Sequence, residues 1–246
     1  MKILWLPSMR IEREGSVRRA IYHLTIGRLK YSKGEDYDAQ RFWSDRFEKH
    51  GFSFAAAGHL GFSEGENRER HEAAKKVFIE YCGEQGIDFG AAKVLDVGCG
   101  TGFYSGVMQE LGVAEYAGVD ITDTFFPQLR EKYPHYEFKR GDVTSDAIQG
   151  SYDVVVMIDV IQHITNPSKL QFAMKNVRGC LAKNGVLVIA PITEVSGRAP
   201  LLYFVRTWSL ENVLQNFAGF SISEPAFYRD NEYILAIRKD DTANPP

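Results

Sequence analysis

A chain of 246 residues, 44% hydrophobic and 25% charged, has enough apolar material for one well-buried core, which excludes the disordered, collagen-like and fibrous classes. A formal net charge of -3 gives no overall basic field for gathering nucleic acid or anionic membrane, and no apolar run approaches the roughly 18–20 residues that span a bilayer. Three cysteines, Cys82, Cys99 and Cys180, lack the spacing of a zinc site or a redox pair and fit a reducing, cytoplasmic setting.

Residues 1–34 hold eight Lys or Arg against the two acids Glu12 and Glu14. This basic arm reads as a solvated amphipathic segment, since its charges interleave with Ile21, Leu24 and Leu29, or as a contact for phosphates or an acidic partner. Arg10 and Arg13 arrive before a secretory apolar core is built, so the start reads as a native N-terminus. Next, Tyr37 to Trp43 are aromatic-rich and helical in character. The stretch 54–65, with three alanines and Gly58, Gly61 and Gly65, reads as a mobile loop: lid material, or a decoration on the sheet edge.

Over 70–87 the residues Ala73, Ala74, Val77, Phe78 and Tyr81 recur at helical spacing, with Ser63 and Glu66 upstream as a capping box. A strand follows at Lys93–Val97, then glycines and another helix-length stretch. Strand-like segments recur at 115–119, 136–140, 153–158 and 186–190. The clearest helix is predicted over 166–185: Asn166 caps it, Pro167 takes the first position, Leu170, Ala173, Met174, Val177 and Leu181 form one face, and Gly185 stops it. Strands that alternate with helices and are apolar on both faces imply an α/β fold with a mostly parallel sheet covered on each side. At the C-terminal end, 220–228 and 232–238 are joined by three residues, which forces an antiparallel pair. The last residues, DDTANPP, read as a frayed tail.

The most informative stretch is Asp96-Val97-Gly98-Cys99-Gly100-Thr101-Gly102, where a strand gives way to a helix. Its glycines let the backbone turn sharply and let a ligand approach main-chain atoms. Asp120 and Asp142 close the next two strands, and ligands of open parallel sheets bind outside those ends.

This D-x-G-x-G-x-G arrangement resembles the first motif of class I S-adenosylmethionine-dependent methyltransferases, in their small-molecule branch. The resemblance covers 70–238. It implies a Rossmann-like, mostly parallel seven-stranded sheet with helices on both faces, a C-terminal antiparallel strand pair and an N-terminal extension. The implied organisation is an extension, read as lid material, over 1–69, an S-adenosylmethionine-binding domain over 70–240, and a flexible tail over 241–246.

By the same resemblance, Gly98, Cys99, Gly100 and Gly102 would lie under the methionine part of S-adenosyl-L-methionine, and Asp96 would fix its amino group directly or through water. Asp120 would accept from the ribose hydroxyls, Ile121 would pack on the adenine, and Asp142 with Val143 would meet the adenine amino group. Asp159, in Asp159-Val160-Ile161-Gln162-His163, belongs to a segment similar to the family's fourth motif. That segment is not the D/N-P-P-Y form of the nucleic-acid amino methylases, so DNA is not the expected acceptor. The expected partner is a small-molecule acceptor, a metabolite or sugar-like hydroxyl or amine. No membrane is involved, and RNA or protein acceptors are left open.

Methyl transfer is an in-line displacement at a sulfonium carbon, so the protein mainly aligns donor and acceptor. His163 is the expected catalytic base, because an unperturbed imidazole pKa of about 6.5 suits proton uptake near neutrality. The alternative is a histidine that only bonds the start of the next helix. Tyr37, Phe42 and Trp43 are candidates to close over the donor or to pack the core. Arg198, Tyr203 and Arg206 are expected to border the acceptor, with His59 as a second base candidate. Asp159 and His163 stand four residues apart, but no cluster has convincing metal spacing, and metal independence is expected. Two other readings remain: a nicotinamide-dependent oxidoreductase, disfavoured because its fingerprint is G-x-G-x-x-G, and a non-catalytic donor-binding or partner-binding module.

Overall fold

The computed structural model describes residues 23–59, 61–199 and 202–240. The basic arm as far as residue 22 and the tail 241–246 lie outside the described residues.

Helix α1 (Ala39–His50) is capped by Asp38, whose carboxylate accepts the Arg41 N–H at 3.2 Å. Helix α2 (Glu64–Glu84) opens on the expected capping box, Ser63 and Glu66 each satisfying the other's backbone N–H. It starts well before residue 70, so one continuous helix crosses the expected boundary between extension and domain. Strands and helices then alternate: β1 (Lys93–Val97), α3 (Phe103–Glu110), β2 (Glu115–Asp120), α4 (Phe126–Lys132), β3 (Glu137–Arg140), β4 (Tyr152–Ile158), α5 (Pro167–Cys180) and β5 (Leu181–Ile192). The chain ends with α6 (Leu210–Leu214), β6 (Phe220–Ile222), β7 (Ala226–Arg229) and β8 (Glu232–Lys239).

Across the sheet the order is β3-β2-β1-β4-β5-β8-β6, with β1 to β5 parallel and β8 antiparallel to β5. Tyr233 pairs with Ile192 on one side and Phe227 on the other, and Ile237 likewise with Leu187 and Ile222. Strands β6 and β7 therefore lie in line along one edge of β8 and fill the seventh position together. The strand expected over 220–228 is split at Ser223-Glu224-Pro225, where proline has no N–H to contribute to the ladder.

Side chains alternate between two buried layers, as period-2 geometry requires. Val94, Val154, Val156, Ile158, Val186 and Val188 face Phe78 and Tyr81 of α2 and Leu129 of α4. Leu95, Val97, Val155, Met157, Leu187 and Ile189 face Leu170, Met174 and Val177 of α5. Each such side chain, fully buried, is worth roughly 1.5–3 kcal/mol relative to exposure, so these two rows hold the sheet between its helices.

Helix α5 begins as expected: Asn166 accepts the N–H groups of Ser168 and Lys169, and Pro167 occupies the first turn. It ends at Cys180, however, and not at Gly185, because Leu181 already pairs with Tyr152 as the first residue of β5. Gly185 serves a close approach instead: a Cβ there would lie 3.0 Å from the Tyr152 carbonyl oxygen.

The segment before α1 folds over the carboxyl ends of the strands. The Tyr37 hydroxyl donates to the His163 carbonyl at 2.9 Å, and Asp36 accepts from Thr165 Oγ1 and Lys169 Nζ, both at 2.7 Å. Tyr31, Tyr37 and Phe42 pack with Phe204 into a third, small core.

The glycine-rich stretch expected to be a mobile loop is pinned. Arg46, buried in α1, donates to the carbonyls of Ala55, Ala56 and Gly58 at 2.9, 2.6 and 2.6 Å. Glu64 accepts the N–H groups of Phe54 and Ala55, and the buried Asn67 amide bonds His59, Phe62 and Ser63. Burial pushes the Arg46 pKa down to about 10, which leaves the guanidinium charged at neutral pH. Arg46→Met removes three charge-assisted bonds and strands their acceptors, so urea unfolding should report a loss of about 2–4 kcal/mol, and a loss below about 1 kcal/mol would contradict this pinning.

Candidate active site

The strand order reverses between β1 and β4, and an open α/β sheet binds its ligand in the crevice at such a switch point. The loop from β1 into α3 lies there. Gly98 and Cys99 both donate to the Val119 carbonyl, at 2.6 and 3.2 Å, which folds the loop against the end of β2. Gly98 has φ 81°, and a Cβ would lie 2.2 Å from Val160 Cγ2, so only glycine lets the loops after β1 and β4 close together.

Asp120, the last residue of β2, holds this loop. One carboxylate oxygen accepts the Gly100 N–H at 2.9 Å, and the other accepts the N–H and hydroxyl of Thr122 at 2.9 and 3.0 Å. Burial raises its pKa, against the pull of the Thr122 and Gly100 hydrogen bonds. Just after β3, Asp142 turns on itself, its carboxylate accepting the Thr144 N–H and hydroxyl at 2.8 and 2.6 Å. After β4, Asp159 adopts φ 60° and pairs with the Arg229 guanidinium, with the Tyr228 hydroxyl donating at 3.2 Å. Arg229 also binds Glu232 at 3.0 Å, so the C-terminal hairpin reaches back to the end of β4.

These groups surround a cavity of about 1140 Å³ including its open mouth. Of the residues singled out from sequence, Gly98, Cys99, Gly100, Asp120, Ile121, Asp142, Val143, Asp159 and His163 line it, together with Tyr37 and Trp43. Asp96 and Gly102 are not in the lining. Asp96 is buried, and the Tyr116 hydroxyl donates to one of its carboxylate oxygens at 2.7 Å and is itself bonded to Ser105. Burial drives the Asp96 pKa up to about 7. Gly102 supports the start of α3, with Leu129 where a Cβ would be.

Phe42 is in the small core, Arg198 donates to the Glu35 carbonyl, and Arg206 lies over the Trp208 ring at 4.4 Å. These three, Tyr203 and His59 stay outside the lining. Among the described residues no group of three or more His, Cys, Asp or Glu could hold a metal ion.

His163 sits on the short turn after β4. Its Nδ1 is 3.0 Å from the Phe204 carbonyl oxygen, which can only accept, so Nδ1 carries the proton and Nε2 is the acceptor. The Trp43 ring meets it edge-on at 4.8 Å. Burial pushes its pKa down to about 4, and Arg46 adds to the shift. The ring is therefore neutral at physiological pH, a weaker base than the unperturbed value expected from sequence.

Asp36, Phe47, His71 and Lys169 are among the lining residues that were not anticipated. His71 had a legible signal, since α2 runs antiparallel to β1 and its first half must stand at the ligand end of the sheet. Asp36 and Lys169 had none, because their partners are far apart in sequence.

A switch-point crevice with a left-handed glycine loop and a carboxylate at each neighbouring strand end defines a nucleotide-type ligand site on an α/β sheet. Residues 95–189 match the family model described as a methyltransferase domain. The chain is similar to a highly reducing polyketide synthase of Gibberella fujikuroi, 36% identical over 120 residues, which is 42% of this chain and 4% of that protein. It is also similar to a ubiquinone biosynthesis O-methyltransferase of Albidiferax ferrireducens, 29% identical over 131 residues, 50% of this chain and 49% of that one. The chain thus spans half or less of the length of these relatives. Its fold is that of magnesium protoporphyrin IX methyltransferase from Synechocystis PCC 6803, solved with bound S-adenosylmethionine: TM-score 0.63, 18% identity, 85% of this chain and all of that one. The match over residues 95–189 is thus to a methyltransferase domain, and the fold is the one that S-adenosylmethionine-dependent methyltransferases share.

A carboxyl whose folded pKa of about 7 lies above its unfolded value costs stability as pH rises from roughly 4 through 7. Asp96→Asn should flatten that slope, so its denaturation midpoint should change less between pH 5 and pH 8 than the parent's. Equal slopes would show that Asp96 is not buried as described.

Proposed function

We propose that the protein transfers a methyl group from S-adenosylmethionine to a hydroxyl or amine of a small-molecule acceptor held beneath Tyr37 and Trp43. The observation that carries this reading is the Asp120 carboxylate fastened to the Gly100 N–H at 2.9 Å, in one cavity with a neutral imidazole. The residues present fit the donor. Asp120 keeps lone pairs for ribose hydroxyls, Ile121 and Val143 offer an apolar slot for a purine, and Asp142 stands beside that slot as an acceptor. The loop 98–102 leaves main-chain atoms open to an amino-acid tail.

When bound, the donor supplies an electrophilic methyl carbon on a sulfonium that departs as a neutral thioether. The protein's part is alignment and exclusion of water. Trp43 and Tyr37 cover the site from the extension, which acts as its roof. His163 Nε2 accepts the hydrogen bond of the acceptor O–H or N–H and receives that proton as the new bond to carbon forms. A pKa of about 4 keeps this nitrogen bare throughout the physiological range. Asp96 braces the end of β1 against β2 through its bond to Tyr116. The small-molecule acceptor is supported by the match to a ubiquinone biosynthesis enzyme and by the aromatic enclosure around His163.

Incubation with isotopically labelled donor and cell extract, followed by mass spectrometry, should yield a labelled low-mass product. A labelled RNA or protein would overturn the acceptor class, and no labelled product would overturn the transferase reading. With the true acceptor, His163→Ala should lower kcat about 10²-fold or more without changing affinity for S-adenosylhomocysteine. The parent's kcat/KM should show no histidine inflection near pH 6.5, falling only as pH approaches about 4.

A further inference from the structure

Asp96, the expected partner of the donor's amino group, has one carboxylate oxygen held by the Tyr116 hydroxyl. An α-ammonium has three N–H donors to satisfy if the donor binds as proposed, and the inference below rests on that reading. The strand order β3-β2-β1-β4 sets out the cavity in one direction. The apolar slot of Val143 and Ile121 lies toward β3, Asp120 at the middle, and past the glycine loop come Asp159 from β4 and His71 from α2. The amino-acid end of the donor therefore reaches the side where Asp159 and His71 stand.

Asp159 is engaged by Arg229 and Tyr228. His71 is built differently. Its Nδ1 lies 2.8 Å from the Asn67 carbonyl oxygen, one turn back in α2, so Nδ1 holds the proton and Nε2 carries the lone pair. The ring is fixed edge-on between Phe54 and Phe103, at 5.4 and 5.1 Å, and Phe103 is the first residue after the glycine loop. Burial lowers the His71 pKa, with Arg229 and Arg70 adding to the shift and the Asn67 carbonyl and Glu64 opposing it.

We infer that His71 is a donor-positioning residue whose Nε2 accepts a hydrogen bond from the α-ammonium of S-adenosylmethionine. This role is separate from that of His163, which faces Trp43 and the acceptor side. A neutral imidazole with Nδ1 fixed on a carbonyl offers an acceptor and no donor at Nε2, which suits an ammonium and not a carboxylate.

The test is calorimetric titration of S-adenosylhomocysteine and of 5′-methylthioadenosine, which lacks the amino-acid carbons, into the parent, His71→Ala and His71→Gln. His71→Ala should weaken S-adenosylhomocysteine about tenfold or more, as loss of a charge-assisted bond predicts, and leave 5′-methylthioadenosine unchanged. His71→Gln, whose amide oxygen reaches toward the Nε2 position, should recover most of the loss. Unchanged S-adenosylhomocysteine affinity in His71→Ala would overturn the assignment, and so would equal weakening of both ligands, which would mark a role in shaping the cavity. If the parent binds neither ligand, the donor site itself is wrong and the inference falls with it.

Discussion

The bond from the Gly100 N–H to the Asp120 carboxylate is the constraint on which the site depends. It ties the loop leaving β1 to the end of β2, across the position where a ligand enters an open parallel sheet. A carboxylate buried there would be costly if left bare, and it is satisfied by three donors, two of them backbone N–H groups. The same interaction shapes the loop and presents the remaining lone pairs to the cavity. Gly98 complements it on the other side, since its missing Cβ lets Val160 close against the loop and brings the end of β4 into reach.

Around this centre, polar groups are fixed by partners on other elements. Arg229 and Tyr228 come from the C-terminal hairpin to hold Asp159, and the Phe204 carbonyl sets the tautomer of His163. The segment before α1 supplies Asp36 and Tyr37, which bond Thr165, Lys169 and the His163 carbonyl. The roof is thus joined to the sheet by hydrogen bonds and an ion pair as well as by the aromatic packing of Tyr31, Tyr37, Phe42 and Phe204. The space beneath it is lined by the Tyr37 and Trp43 rings and by the His163 imidazole.

What was legible in the sequence is what local chemistry decides. Alternation of apolar runs with helical spacing exposed the parallel sheet, Ser63 and Glu66 marked the start of α2, and Asn166-Pro167 marked the start of α5. The strand ends at Asp120, Asp142 and Asp159 could be read for the same reason: a strand that stops at an acid beside glycine or a turn places that acid at a sheet edge. Tertiary partners decided the rest. Asp96 has the expected spacing, but its bond to Tyr116 on the neighbouring strand could not be read from it. Gly185 has the look of a helix stop, whereas it leaves room for the backbone of Ala182 and Tyr152. The 54–65 stretch reads as loose by composition, and only Arg46 and Asn67, brought in by other helices, make it ordered.

The most direct measurement is a crystal structure of the protein with S-adenosylhomocysteine. The account predicts ribose hydroxyls on the Asp120 carboxylate, the purine between Ile121 and Val143, and the amino-acid tail over Gly98 and Gly100 toward His71. Density for the ligand anywhere away from the crevice between β1 and β4, or with the purine end at His71, would contradict it.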